Sequence, residues 1–104
     1  MGRASRDKGQ VGEREVVKLA ESYGFTGLRT RSGGGQVRGD IAGLPGVALE
    51  VKRVERGNVS AWFDQAAKNC GPDVPVVAHR KSREPWLATV PLDHYLELLA
   101  RAQL

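Results

Sequence analysis

Two acids and a lysine in the segment "RGDIAGLPGVALEVKR" are of the types that could act on a phosphodiester. Pro45 and Gly46 are ordinary turn residues between two apolar runs, so the segment predicts a β-hairpin. If the strands pair symmetrically about Pro45, Asp40 lies opposite Glu50. The two-residue period of a strand then puts Lys52 on the same face as Glu50.

Two facing carboxylates predict a cation between them, because like charges opposite each other in an antiparallel pair destabilise it by up to about 1 kcal/mol. We expect Mg²⁺, with Mn²⁺ as a substitute, since hard divalent ions prefer carboxylate oxygens and are completed by substrate phosphate. Lys52 adds a positive charge that can hold the attacking water or the scissile phosphate. These are the parts of metal-assisted phosphodiester hydrolysis. The alternative is a hairpin with one solvated outer face.

The rest of the chain must position this hairpin, and its pattern predicts an α/β protein with the element order αβββαββα. With 104 residues, the chain can form one modest core but not two. Residues 1–9 are polar and basic and predict a mobile N-terminal arm, while residues 10–104 form the single domain. The expected elements are helix 11–23, strands 25–30, 39–43 and 47–54, helix 58–71, strands 74–80 and 85–90, and helix 91–104.

Composition narrows the class of partner and the cell compartment. A net charge of +4 and a pI near 9.6 suit a polyanionic partner such as nucleic acid. Cys70 is the single cysteine, which excludes an internal disulfide and favours a reducing, cytoplasmic location, at the nucleoid or in the cytoplasm of a host. No apolar run approaches the roughly 20 residues that span a bilayer, so we expect no membrane partner.

Taken together, these features resemble the PD-(D/E)xK nuclease superfamily, and within it the archaeal-type Holliday junction resolvases with their phage relatives. Gly39 stands where the proline of the superfamily name would be. The resemblance covers essentially the whole chain and rests on Asp40, Glu50-Val51-Lys52, the stretches "KGQVGERE" and "GFTGLRTRSGGG", and a later helix bearing Gln65. It implies a restriction-endonuclease-like core, a mixed β-sheet flanked by helices, in a homodimer that resolves four-way DNA junctions by hydrolysis.

The resemblance also implies roles for individual residues. The implied catalytic residues are Glu13, Asp40, Glu50, Lys52, Ser32 and Gln65. The implied metal ligands are Glu13, Asp40, Glu50 and Val51. The implied DNA contacts are Lys8, Arg14, Arg29, Arg31 and Arg38.

Several of these residues also have a simpler explanation. For Glu13, the spacing supports the implied role at the metal site. It precedes Val16 and Val17 by three and four positions, which puts it on the inward side of the first helix. It could instead be a first-turn acid that complements the helix dipole. Arg29 could be a surface charge at a strand end, and Gln65 a solvated helix residue.

Two other functions and one other use of the aromatic residues stay open. A nuclease of the same fold could act on flapped, nicked or plain duplex DNA, and a non-catalytic DNA-binding module could keep the same basic surface. Trp62, Phe63 and Trp86 are expected in the core or a dimer interface, with base stacking as the alternative. No role is assigned to His79 or His94.

Overall fold

The helices and strands follow one another in the order predicted from the sequence. The computed structural model describes residues 3–31 and 39–103, with side chains from residue 9 onward. Within these residues the elements are α1 (Arg3–Ser22), β1 (Arg29–Thr30), β2 (Ile41–Ala42), β3 (Val47–Arg53), α2 (Val59–Asn69), β4 (Val74–Arg80), β5 (Leu87–Thr89) and α3 (Leu92–Ala102). The predicted order αβββαββα is therefore confirmed.

The strands form one mixed sheet in the order β1-β2-β3-β4-β5. The central strand, β3, pairs antiparallel with β2 and parallel with β4. Because parallel neighbours need a connection that returns along the sheet, the chain passes through α2 between them. The outer pairs, β1 with β2 and β4 with β5, are antiparallel. The predicted mixed α/β architecture is confirmed.

Alternating side chains of β3 point to two faces of this sheet, which we name after the helix that packs on each. On the α1 face, Leu49 and Val51 are buried against Val16 of α1. The whole core cluster consists of Val16, Ile41, Leu49, Val51, Val76 and Ala78. On the α2 face, Ala48 and Val77 are buried on the side where α2 packs.

The first helix begins earlier than predicted, and the first strand is shorter. α1 begins at Arg3 and not at Val11, so it includes most of the segment expected to be an arm. Residues 3–8 contain no proline, and Gly9 costs a helix only about 1 kcal/mol. Mobility of residues 1–9 stays a prediction.

No helix among the described residues is both long and apolar enough to cross a membrane.

One carboxylate on α1 ties this helix to the sheet. Glu15 Oε1 accepts hydrogen bonds from Arg80 Nη1 at 2.6 Å and Trp86 Nε1 at 3.1 Å. Its other oxygen, Oε2, lies 3.5 Å from Arg53 Nε. Arg53 and Arg80 are directly opposite each other in the parallel β3–β4 pair. Glu15 thus supplies the negative charge between two cations that would otherwise repel.

Replacing Glu15 by Ala should lower the free energy of unfolding by about 2 kcal/mol, because two partly buried arginines would lose their shared partner. Glu97→Ala is the matched control, since Glu97 pairs with Arg101 one helical turn away at an exposed site. Its loss should stay under about 0.5 kcal/mol. Urea unfolding followed by circular dichroism measures both. Equal losses in the two variants would show that Glu15 does not anchor α1.

Candidate active site

The hairpin register brings Asp40 and Glu50 together as predicted. Ile41 pairs with Leu49, which sets Asp40 opposite Glu50. The Asp40 amide donates to the Leu49 carbonyl at 2.7 Å, and the Val51 amide donates to Asp40 Oδ2 at 2.7 Å. Only 16% of the Asp40 side chain is exposed. The first acid is therefore held against the backbone of the strand that carries the second.

Gly39 explains how Asp40 comes so close to β3. Its backbone has φ of 74°, and a Cβ at this position would lie 2.6 Å from the carbonyl oxygen of Leu49. Proline is fixed near −65° and could not adopt this conformation. The local backbone therefore requires glycine, and excludes proline, at position 39.

Glu50 has a raised pKa beside Asp40. Burial raises the pKa of Glu50 from 4.5 to about 7, with further increases from the charge of Asp40 and a hydrogen bond to its side chain. The positive charges of Arg31 and Lys52 oppose this rise without cancelling it. At neutral pH Glu50 is therefore still about half protonated. A divalent cation bound by both carboxylates would take the place of that proton, and the hard oxygen donors suit Mg²⁺.

Cationic side chains line the same face as the acids. Lys52 lies two residues beyond Glu50 on β3, so it projects to the α2 face. The Arg31 amide donates to the Asp40 carbonyl at 2.8 Å, and its Nη1 lies 4.0 Å from Asp40 Oδ1. Arg29 pairs with Ala42, which places it on this face too. Arg29 and Arg31 are both exposed and accessible to a phosphate backbone.

Glu13 is not brought to the acid pair. It lies on α1, next to Gly12, which faces Val51 and Arg53 on the α1 face. The charges that shift the pKa of Glu50 are those of Asp40, Arg31 and Lys52. Among the described residues, no three His, Cys, Asp or Glu side chains group closely enough to hold a metal ion. A role for Glu13 as a third ligand stays a prediction.

The other implied site residues are dispersed or lie outside the description. Gln65 is exposed on α2, and Arg14 is exposed on α1. Val51 buries its side chain in the core, so only its backbone could contribute to a metal site. Lys8 belongs to α1, but its side chain lies outside the description. Ser32 and Arg38 fall between the described ranges.

His79 was missed by the sequence reasoning although it is a neighbour of Lys52. The parallel register of β3 and β4 sets the two residues opposite each other. The His79 ring lies 5.9 Å from the ring of Trp62, and Nε2 is 3.0 Å from Thr89 Oγ1. Burial lowers the pKa of His79 below its usual value, which favours the neutral ring. No local pattern predicts this proximity, because the long connection through α2 sets the register.

Comparison with known proteins adds no relative. No protein-family model matches the chain, and no curated protein matches it.

The raised pKa of Glu50 leads to a testable prediction about stability. A carboxyl whose pKa is raised by folding binds a proton in the native state between pH 4.5 and about 7, where the unfolded chain has lost it. The stabilisation from Glu50 is therefore complete below pH 4.5 and is lost as pH rises through about 7. Relative to the wild type, Glu50→Gln should become more stable as pH rises from 5 to 8. With half of the side chain solvated, we expect a gain on the order of 1 kcal/mol, or about 4 to 8 degrees in Tm.

Thermal unfolding of both proteins at the two pH values measures this difference. Mg²⁺ should raise the Tm of the wild type at pH 8 more than at pH 5, because the metal competes with the proton on Glu50. It should have little effect on Glu50→Gln. A constant difference in Tm across pH would show that Glu50 titrates normally.

Proposed function

We propose that this chain is a metal-dependent endonuclease that hydrolyses DNA phosphodiesters, with four-way junctions as its substrate. The observation that carries the chemistry is the opposed Asp40–Glu50 pair, in which the pKa of Glu50 is raised to about 7, with Lys52 on the same face. A carboxylate that is this costly to ionise beside another acid favours a bound cation. The substrate shape and the restriction-endonuclease-like identity of the core rest on the resemblance to junction resolvases. A cytoplasmic location goes with this proposal.

Asp40 and Glu50 are the residues that would hold Mg²⁺, or Mn²⁺ in its place. The bound ion would supply Lewis acidity toward a phosphate oxygen and charge neutralisation for the reacting group. Two contacts from the chain prepare this site before any ion binds. The Val51 amide fixes one oxygen of Asp40, and the hairpin register fixes the distance to Glu50. The donors therefore need little rearrangement.

Lys52 acts on the reacting groups directly in this proposal. Its ammonium can donate to the scissile phosphate or orient the attacking water, whose oxygen forms a bond to phosphorus as the bond to the leaving sugar oxygen breaks. Arg31 and Arg29 stand at the exposed edge of the same face and can contact phosphates of the bound strand. Arginine suits that role because its planar fork matches the geometry of a phosphate.

Asp40→Asn, Glu50→Gln and Lys52→Ala should each lower cleavage of a four-way junction by at least about 100-fold. Junction binding should change little, because phosphate contacts elsewhere supply most of the affinity. Asp93→Asn is the control: Asp93 is an exposed acid in the first turn of α3. Single-turnover cleavage with and without Mg²⁺, together with a binding isotherm, separates the two effects.

The same assay distinguishes the alternatives when a junction, a flap and a plain duplex are compared at equal concentration. Faster cutting of the flap or duplex would assign another substrate to the same chemistry. Binding without cutting in either metal would identify a non-catalytic DNA-binding module. Cutting at wild-type rate by one variant would remove that residue from the mechanism.

A homodimer is part of this proposal, since a four-way junction presents two symmetry-related strands to cut. Helix α2 was expected to supply the interface through Trp62 and Phe63, but both are half-buried. The large apolar side chains of α3 are more exposed than those two. They are Leu92, Tyr95, Leu96, Leu98 and Leu99. We therefore place the interface on α3.

Leu96→Lys should convert a dimer to a monomer, because it puts a charge at the centre of an apolar interface. Lys68→Glu on α2 is the control for a change of charge on an exposed helix. Sedimentation at micromolar concentration, with and without junction DNA, measures the state. A wild-type monomer under both conditions would contradict the dimer.

A further inference from the structure

A cleft of about 510 Å³ opens beside the active-site strands, between the N-terminal half of α2 and the β4–β5 turn. Its walls include the rings of Trp62 and His79 and the apolar side chains Val59 and Leu87. Val59 is 37% exposed and Leu87 is 58% exposed, so both present apolar surface to the cleft. Lys81 lies at the rim. The cleft combines a flat aromatic wall and apolar sides with charged residues of both signs, the cations Arg56, Arg80 and Lys81 and the acids Glu55 and Glu84.

The loop backbone and a hydrogen-bond clamp shape this cleft. The ring of Trp62 packs so closely on Gly57 that a Cβ there would collide with it. Ser82 donates from both its amide and its hydroxyl to the carboxylate of Glu55, at 3.2 and 2.7 Å to the nearest oxygens. This clamp joins the loop after β3 to the turn after β4. Both walls of the cleft are therefore held by contacts within the chain.

These features fit a nucleobase with its phosphate. A base can stack on the Trp62 ring, with apolar contacts from Val59 and Leu87, while Arg56 and Lys81 at the rim can bind the adjoining phosphates. A paired base is shielded by its neighbours in the stack, so only an unpaired base can enter. The cleft also lies beside Lys52, since His79 on its wall is opposite Lys52 in the β3–β4 pair.

We infer that this cleft binds an unpaired nucleotide of the DNA strand, with Trp62 as the stacking platform. The inference rests on the proposed function and deepens it, because it adds exposed bases beside the cut site to what the protein recognises. Branched DNA offers such bases where base pairs at the branch point open. Intact duplex does not.

The two tryptophans of the chain allow a direct test, because they lie on opposite sides of the sheet. Trp62 lines the cleft, whereas Trp86 donates to Glu15 on the α1 face. Trp86→Phe leaves Trp62 as the fluorophore, and Trp62→Tyr leaves Trp86. A short oligo-dT strand should quench the fluorescence of Trp86→Phe and leave that of Trp62→Tyr unchanged. A duplex of equal length should quench neither, and dTMP at the same nucleotide concentration should quench far less than the strand.

Affinity measurements give a second readout at one fixed salt concentration. Trp62→Leu should weaken binding of a duplex with a single-stranded gap by about tenfold and leave binding of the intact duplex unchanged. Trp62→Tyr retains an aromatic ring and should recover most of the affinity. Circular dichroism of each variant confirms that it folds.

Each outcome has a distinct meaning. Equal quenching of both single-tryptophan proteins, or equal binding of gapped DNA by Trp62→Leu and wild type, would overturn the cleft assignment while leaving the nuclease proposal intact. Quenching by dTMP equal to that by the strand would overturn it in favour of a free-nucleotide site. Failure of every DNA form to bind would overturn the proposed function as well.

Discussion

The alternation of side chains along β3 is the constraint on which the rest of the structure depends. Every second residue, Leu49 and Val51 among them, must enter the core beneath α1. The residues between them, Glu50 and Lys52, are then forced onto the opposite face. A slip of one residue in the pairing of β2 and β3 would bury both charges and expose the core. The same apolar contacts that stabilise the fold therefore hold Glu50 and Lys52 in register.

The acid pair has an electrostatic cost that the surrounding backbone contacts must offset. Asp40 is held by the amide of Val51, and Gly39 permits the close approach of the two strands. Arg31 and Lys52 lower the pKa of Glu50 but leave it at about 7. The arrangement is more favourable with an added positive charge than without one. Repulsion between two acids that the chain does not fully compensate is typical of functional sites. Stability alone would favour an uncharged residue in place of one of the two acids.

Sequence reasoning succeeded where local rules decide and failed where distant segments meet. The element order and the Asp40–Glu50 register follow from a two-residue period around a proline-glycine turn. The cluster around Glu15 could not be predicted, because Arg80 and Trp86 are 65 and 71 positions away in the sequence. The start of α1 was wrong because polar composition was taken to exclude a helix, whereas the helix runs from Arg3. The cleft beside Lys52 likewise depends on a parallel register that no turn specifies.

Each face of the sheet carries two like charges opposite each other on neighbouring strands. On the α1 face, Arg53 and Arg80 stand opposite each other, and the chain supplies the carboxylate of Glu15 between them. On the α2 face two acids stand opposite each other, and the nearby cations of the chain only partly compensate. Glu15 neutralises the arginine pair, and these contacts hold α1 against β3 and β4. The parallel register of β3 and β4 sets Lys52, on the same face as the acid pair, beside His79 in the cleft. The acid pair keeps an uncompensated negative charge, and this difference between the two faces is what the proposal of a metal-dependent site explains.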